Sequence, residues 1–129
     1  MDKDGLKRRT KRFALCVIRL VRSLPTGKTA DVLGKQLLRS GTSVGANYRA
    51  ACRAKSTADF VYKMEIVEEE TDESLYWMEL FCEAGIMKPK ELEPIMKEAT
   101  ELLAITVASI KTVKNRIKSE IRNSKSEIQ

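Results

Sequence analysis

Lysine and arginine are the residues whose types and spacing most suggest chemistry in this chain. Lys7, Arg8, Arg9, Lys11 and Arg12 crowd into the first dozen positions, Arg39, Arg49, Arg53 and Lys55 follow, and Lys111, Lys114, Arg116 and Lys118 form a third group. Fixed cations repeated at helical intervals are what binding to a phosphate backbone requires. The competing use of such residues is a solvated charged surface. Glu65, Glu68, Glu69, Glu70, Asp72, Glu73 and Glu79 make up an acidic run. Carboxylates in helical bundles can hold two metal ions, but those sites also use Glu-x-x-His pairs, and this chain has no histidine. Its absence also removes the commonest general base. Cys16, Cys52 and Cys82 have no partner base, and no glycine-rich phosphate loop or nucleophile elbow occurs. The expectation is a protein without catalytic residues, metal or cofactor.

Charge is distributed in blocks. Residues 1–55 hold 14 Lys+Arg against 3 Asp+Glu, residues 56–100 hold 4 against 12, and residues 101–129 hold 6 against 3, within a net charge of +6. Separate basic and acidic surfaces suit polyanion binding, and they equally suit association between copies. Three widely spaced cysteines fit a reducing compartment. The apolar run from Phe13 to Val21 is interrupted by Arg19 and is too short to span a bilayer. No cleavage site follows the basic start, so a cytoplasmic protein is expected.

Positioning these groups falls to helices, since only three prolines and six glycines interrupt 129 residues. Leu6, Thr10, Phe13, Val17, Leu20 and Leu24 keep three-four spacing and predict a first helix from about Asp4 to Ser23. Ala14, Leu15, Cys16, Ile18 and Val21 extend its apolar surface nearly all the way round. Such a helix needs cover on most sides, which points to a contact between subunits or to a locally thick core. Leu24-Pro25-Thr26-Gly27 ends it. A second helix is predicted over 30–54 with Leu33, Leu37, Val44, Tyr48 and Ala51 inward. Gly41 and Gly45, one turn apart, either admit a close neighbour or break the helix near Gly41. Ser56 as N-cap, with Asp59 at the capping-box position, starts a third helix running to Ala84. Phe60, Met64, Val67, Thr71, Leu75, Met78 and Phe81 form its stripe, and Gly85 fits the left-handed residue after its end. Pro89 opens a fourth helix, expected to end near Ile121, with Leu92, Ile95, Ala99, Leu102, Thr106, Ser109, Val113 and Ile117 inward.

Four helices with short connections predict an all-α, antiparallel up-down-up-down bundle over 1–122 and a polar, frayed tail over 123–129. In that arrangement the start of helix one and the ends of helices two and four share one end. Lys7, Arg8, Arg9, Lys11, Arg12, Arg49, Arg53, Lys55, Lys111, Lys114, Arg116 and Lys118 then converge there as a nucleic-acid-binding set. No aromatic residues interleave with the charge, so contact with the backbone and weak sequence preference are expected. The alternative is a scaffold in which basic helix one meets acidic helix three of a neighbouring copy.

The segment Arg39-Ser40-Gly41-Thr42-Ser43-Val44-Gly45-Ala46-Asn47-Tyr48-Arg49 resembles the second-helix signature of the bacterial four-helix bundle proteins, which include the 23S rRNA intervening-sequence proteins. Asp59-Phe60, Asp72-Glu73-Ser74-Leu75-Tyr76-Trp77, Glu83-Ala84-Gly85 and Ala108-Ser109-Ile110-Lys111-Thr112 carry the likeness across residues 7 to 118. The resemblance implies a left-handed up-down bundle assembled as a ring-like homopentamer. Members are encoded in insertions of large-subunit rRNA genes or as free-standing genes. A related branch, the accessory variability proteins of diversity-generating retroelements, is a basic pentamer that binds nucleic acid and reverse transcriptase. The resemblance therefore implies RNA or DNA binding by the basic positions above, without catalysis, and by distant likeness a reverse-transcriptase-type partner. The acidic third helix departs from a uniformly basic surface.

Overall fold

The stripes of apolar residues become four α-helices in the computed structural model, which describes residues 2–128: α1 Lys3–Arg22, α2 Lys28–Ala51, α3 Thr57–Glu83 and α4 Pro89–Ile128. No strand occurs among the described residues. Each helix packs on its sequence neighbour across a five-residue connection, and α1 and α4 meet more loosely.

The ends follow from local chemistry. Asp2 caps α1 by accepting from the Gly5 N–H at 2.7 Å. Ser56 caps α3 by accepting from the Asp59 N–H at 3.0 Å, while the Asp59 carboxylate reaches back to the Lys55 N–H at 3.2 Å. At the far end of α3, Gly85 adopts φ +72°, the Ile86 N–H reaches the Phe81 carbonyl at 2.9 Å, and the Gly85 N–H reaches the Cys82 carbonyl at 3.1 Å. This pair of bonds satisfies carbonyls that the helix leaves free. In α4, Pro94 leaves the Lys90 carbonyl without a helical donor, and both residues face water, so the helix continues.

Glycines let α2 pack closely on α1. A methyl group on Gly41 would lie 2.7 Å from Val17, one on Gly34 2.9 Å from Leu24, and one on Gly45 3.3 Å from Thr10. These pairs run in opposite senses along the two helices. The Gly41 segment therefore holds an unbroken helix, and its glycines admit the neighbour, as their one-turn spacing allows. Leu33 is only half-buried, because Gly34 takes the inward position against Leu24. In α3 the buried row is Val61, Met64, Val67, Thr71, Ser74, Met78 and Phe81, with Phe60 and Leu75 half-buried beside it. Ser74 is inward because its hydroxyl lies 2.9 Å from that of Ser40 and 2.8 Å from the Glu70 carbonyl. In α4, Ile110 is buried and Ser109 is half-buried. This last helix extends past Ile121 to Ile128, since no glycine or proline follows Pro94 to stop it. Its 40 residues span about 60 Å, against about 40 Å for the 27 of α3.

No helix among the described residues is long and apolar enough to cross a membrane.

Candidate nucleic-acid interface

The contact of Gly45 with Thr10 brings the outer ridges of α1 and α2 together over a shallow groove of about 480 Å³. Ala14, Thr42, Gly45 and Ala46 line its floor, none larger than threonine. Lys7, Arg8 and Lys11 stand along the α1 wall, and Arg49 and Arg53 along the α2 wall. The spacing explains the gathering: on α2, residues 42, 45, 46 and 49 follow one helical row, and Arg53 continues its line in the turn after the helix. No carboxylate lines the groove, and none of its five cations forms an ion pair among the described residues. Four of the five are exposed, and Lys7 is half-buried. Such a concentration of one sign raises the local potential and draws in polyanions.

The remaining basic positions serve elsewhere. Arg9 turns towards α4, where its Nε and Nη2 grip the two oxygens of Glu98 at 2.8 and 2.7 Å, with Glu101 at 3.4 Å. The Glu98 hydrogen bond raises the Arg9 guanidinium further above its ordinary value. Arg12 faces a second cleft, of about 560 Å³, between α1 and α4. Lys55 lies in the turn before α3, its N–H held by Asp59. Lys114 reaches Glu65 of α3 at 3.6 Å, and Arg116 lines a shallow depression confined to α4. Since Glu65 is near the start of α3, the α4 cluster lies at the same end of the bundle as the other two. Lys111, Lys114, Arg116 and Lys118 do not line the α1–α2 groove. One end is shared, but not one surface.

Arg39 leaves the basic set altogether: it pairs with Glu70 at 3.3 Å and with Glu73, tying α2 to α3. Burial pushes the Glu70 carboxyl up from its ordinary value, against the pull of Arg39. Burial likewise pushes the Tyr48 phenol up, with the neighbouring Cys52 adding to the shift. The acids of α3 divide by face. Glu65, Glu69, Asp72, Glu79 and Glu83 form an exposed row that also carries Tyr62 and Tyr76. Among the described residues no group of three His, Cys, Asp or Glu is placed to hold a metal ion.

The groove floor had a sequence signal in Gly45, but Ala14, Thr42 and Ala46 carried none, because small residues in a helix look alike wherever they face. The α1–α4 cleft was hidden too. Phe13, Leu20 and Ile95 form its base, while Cys16 is exposed in it and Leu15 beside it is 43% exposed. That exposure is the excess apolar surface of helix one.

Three comparisons bear on this arrangement. Residues 6–108 match the model of the family described as 23S rRNA-intervening sequence protein. A solved structure from Bacteroides thetaiotaomicron, of a protein with unknown function from the S23 ribosomal protein family, is similar at 35% identity and a TM-score of 0.80. The match covers 86% of this chain and 99% of that one. No curated protein matches.

Proposed function

Because the chain belongs to the 23S rRNA-intervening sequence protein family, we propose that it is a non-enzymatic homo-oligomer that binds RNA or DNA by the phosphate backbone, in the α1–α2 groove. The observation that carries this reading is the set Lys7, Arg8, Lys11, Arg49 and Arg53, gathered in one groove with no carboxylate or ion pair among the described residues. Cations of this kind neutralise phosphates and release counterions, which gives affinity with little sequence information. No aromatic ring or amide side chain lines the groove to read a base. Assembly is supported by the apolar surface around Leu15 and Cys16 and by the open α1–α4 cleft beneath it. The resemblance to pentameric relatives makes five the number of copies to look for.

Filter binding of generic RNA and of duplex DNA at low salt tests the proposal. Retention of either by the wild type, released as salt rises and lost in Arg49→Glu/Arg53→Glu, supports it. Absence of retention for both overturns it. The exposed acidic row of α3 favours one other reading, a scaffold in which that row meets the basic groove of a neighbouring copy. An oligomer that falls apart as salt rises, with no affinity for nucleic acid, is its sign.

A further inference from the structure

The groove's dimensions narrow the kind of nucleic acid it can hold. Helices packed this closely have axes about 8–10 Å apart, and glycine contacts place α1 and α2 at the near end of that range. The five cations stand on the two sides of the seam between these helices, three on α1 and two at the end of α2, over a floor of Ala14, Thr42, Gly45 and Ala46. The major groove of a duplex alone is about 12 Å wide, so a whole duplex cannot enter and can touch only the rims. A single strand can lie on the floor with a wall of cations on each side. Thr10 lies against Gly45, so the cations from Lys11 to Arg53 occupy about 12 Å of the groove's length. A strand stacked at about 3.4 Å per nucleotide would set roughly three or four phosphates along that stretch. The absence of aromatic rings from the lining gives the bases no stacking platform, which leaves the phosphates as the part held.

We propose that the α1–α2 groove is a track for one nucleic-acid strand, gripping its phosphates from both sides with the bases outward, and that it disfavours duplex. This rests on the nucleic-acid-binding reading above. It adds a form of ligand that charge alone does not choose.

The test is fluorescence anisotropy with labelled oligouridylate and a labelled RNA duplex of the same length. Ala46 is exposed, so Ala46→Leu fills the floor without altering charge or the core. The single strand is expected to bind about tenfold more tightly than the duplex, with log affinity falling at a slope of about −2.5 against log salt for three or four phosphates. That slope corresponds to a loss of about thirtyfold between 50 and 200 mM salt. Ala46→Leu is expected to weaken the single strand about tenfold and the duplex hardly at all, and Arg49→Gln/Arg53→Gln to reduce the slope to about −1.5. Two results overturn the track while leaving nucleic-acid binding intact. One is duplex binding as tight as single strand; the other is single-strand binding indifferent to Ala46→Leu but weakened by Arg49→Gln/Arg53→Gln. Binding of neither probe overturns both proposals together.

Discussion

At Gly41 the space for a methyl group is already filled by both γ-carbons of Val17, a β-branched side chain that is fully buried and stiff. At Gly34 the nearest obstacle is the Cδ1 of Leu24, the far end of a half-buried and flexible side chain. Alanine in place of either gains about 1 kcal/mol of helix propensity. Overpacking at Gly41 costs about 1–3 kcal/mol. Gly41→Ala is therefore expected to destabilise by up to about 2 kcal/mol, and Gly34→Ala to leave stability unchanged or raise it by up to about 1 kcal/mol. Urea unfolding of the two variants checks this, and equal effects would contradict the account. The buried hydroxyls of Ser40 and Ser74 give a second case. Ser74→Ala removes Ser40's better partner, leaving the Leu37 carbonyl at 3.3 Å, and is expected to cost about 1 kcal/mol. Ser40→Ala/Ser74→Ala should cost less than the two single changes summed, which a double-mutant cycle measures. Gly41 was legible because its one-turn spacing from Gly45 is itself a pattern, whereas Gly34, alone beside Leu33, was not. Ser74 was not, because a polar residue goes inward only when a partner waits there, and the partner lies 34 positions away.

For whole helices, period mattered more than residue identity. The three-four spacing located all four elements, yet Phe60 and Leu75, chosen as large apolar residues, stand beside the buried row that Val61 and Ser74 occupy. Size and hydrophobicity set a helix's apolar face only to within a residue, whereas contacts with the neighbour set its rotation. The same limit separated the basic clusters. Those of α1 and α2 met because one close contact fixes both helices, but α4 packs on α3 and α1 and not on α2, which leaves Lys111 and Lys118 away from the groove. The start of α3 offers a test at this scale. Its Asp59 carboxyl is held below its ordinary value, first by the Lys63 side chain and then by the Lys55 N–H. A carboxyl lowered in the folded state contributes stability above its unfolded value, and that contribution disappears as pH falls through the folded one. Asp59→Asn is therefore expected to destabilise at neutral pH and to match the wild type in acid below the carboxylate range. Thermal unfolding across pH reads the difference, and a deficit that persists unchanged in acid would locate the effect elsewhere.

For the molecule as a whole, the apolar surface of α1 is the place where a single change should act on assembly and not on the fold. Leu15 is exposed in the single chain, so Leu15→Glu should leave helicity and protomer stability within about 0.5 kcal/mol. Its particle mass by light scattering should fall towards one chain. A wild-type mass of one chain would remove the basis for assembly through this face. The order in which the helices touch has another consequence. Each packs chiefly on its neighbours in sequence, and the ion pair of Arg9 with Glu98, 89 positions apart, belongs to the looser closing contact. Chains whose contacts are this local fold on the microsecond-to-millisecond scale, since little loop entropy must be overcome before each contact forms. Both walls of the groove are complete before α3 begins, so the basic surface can begin to form while the acidic helix that follows is still being made.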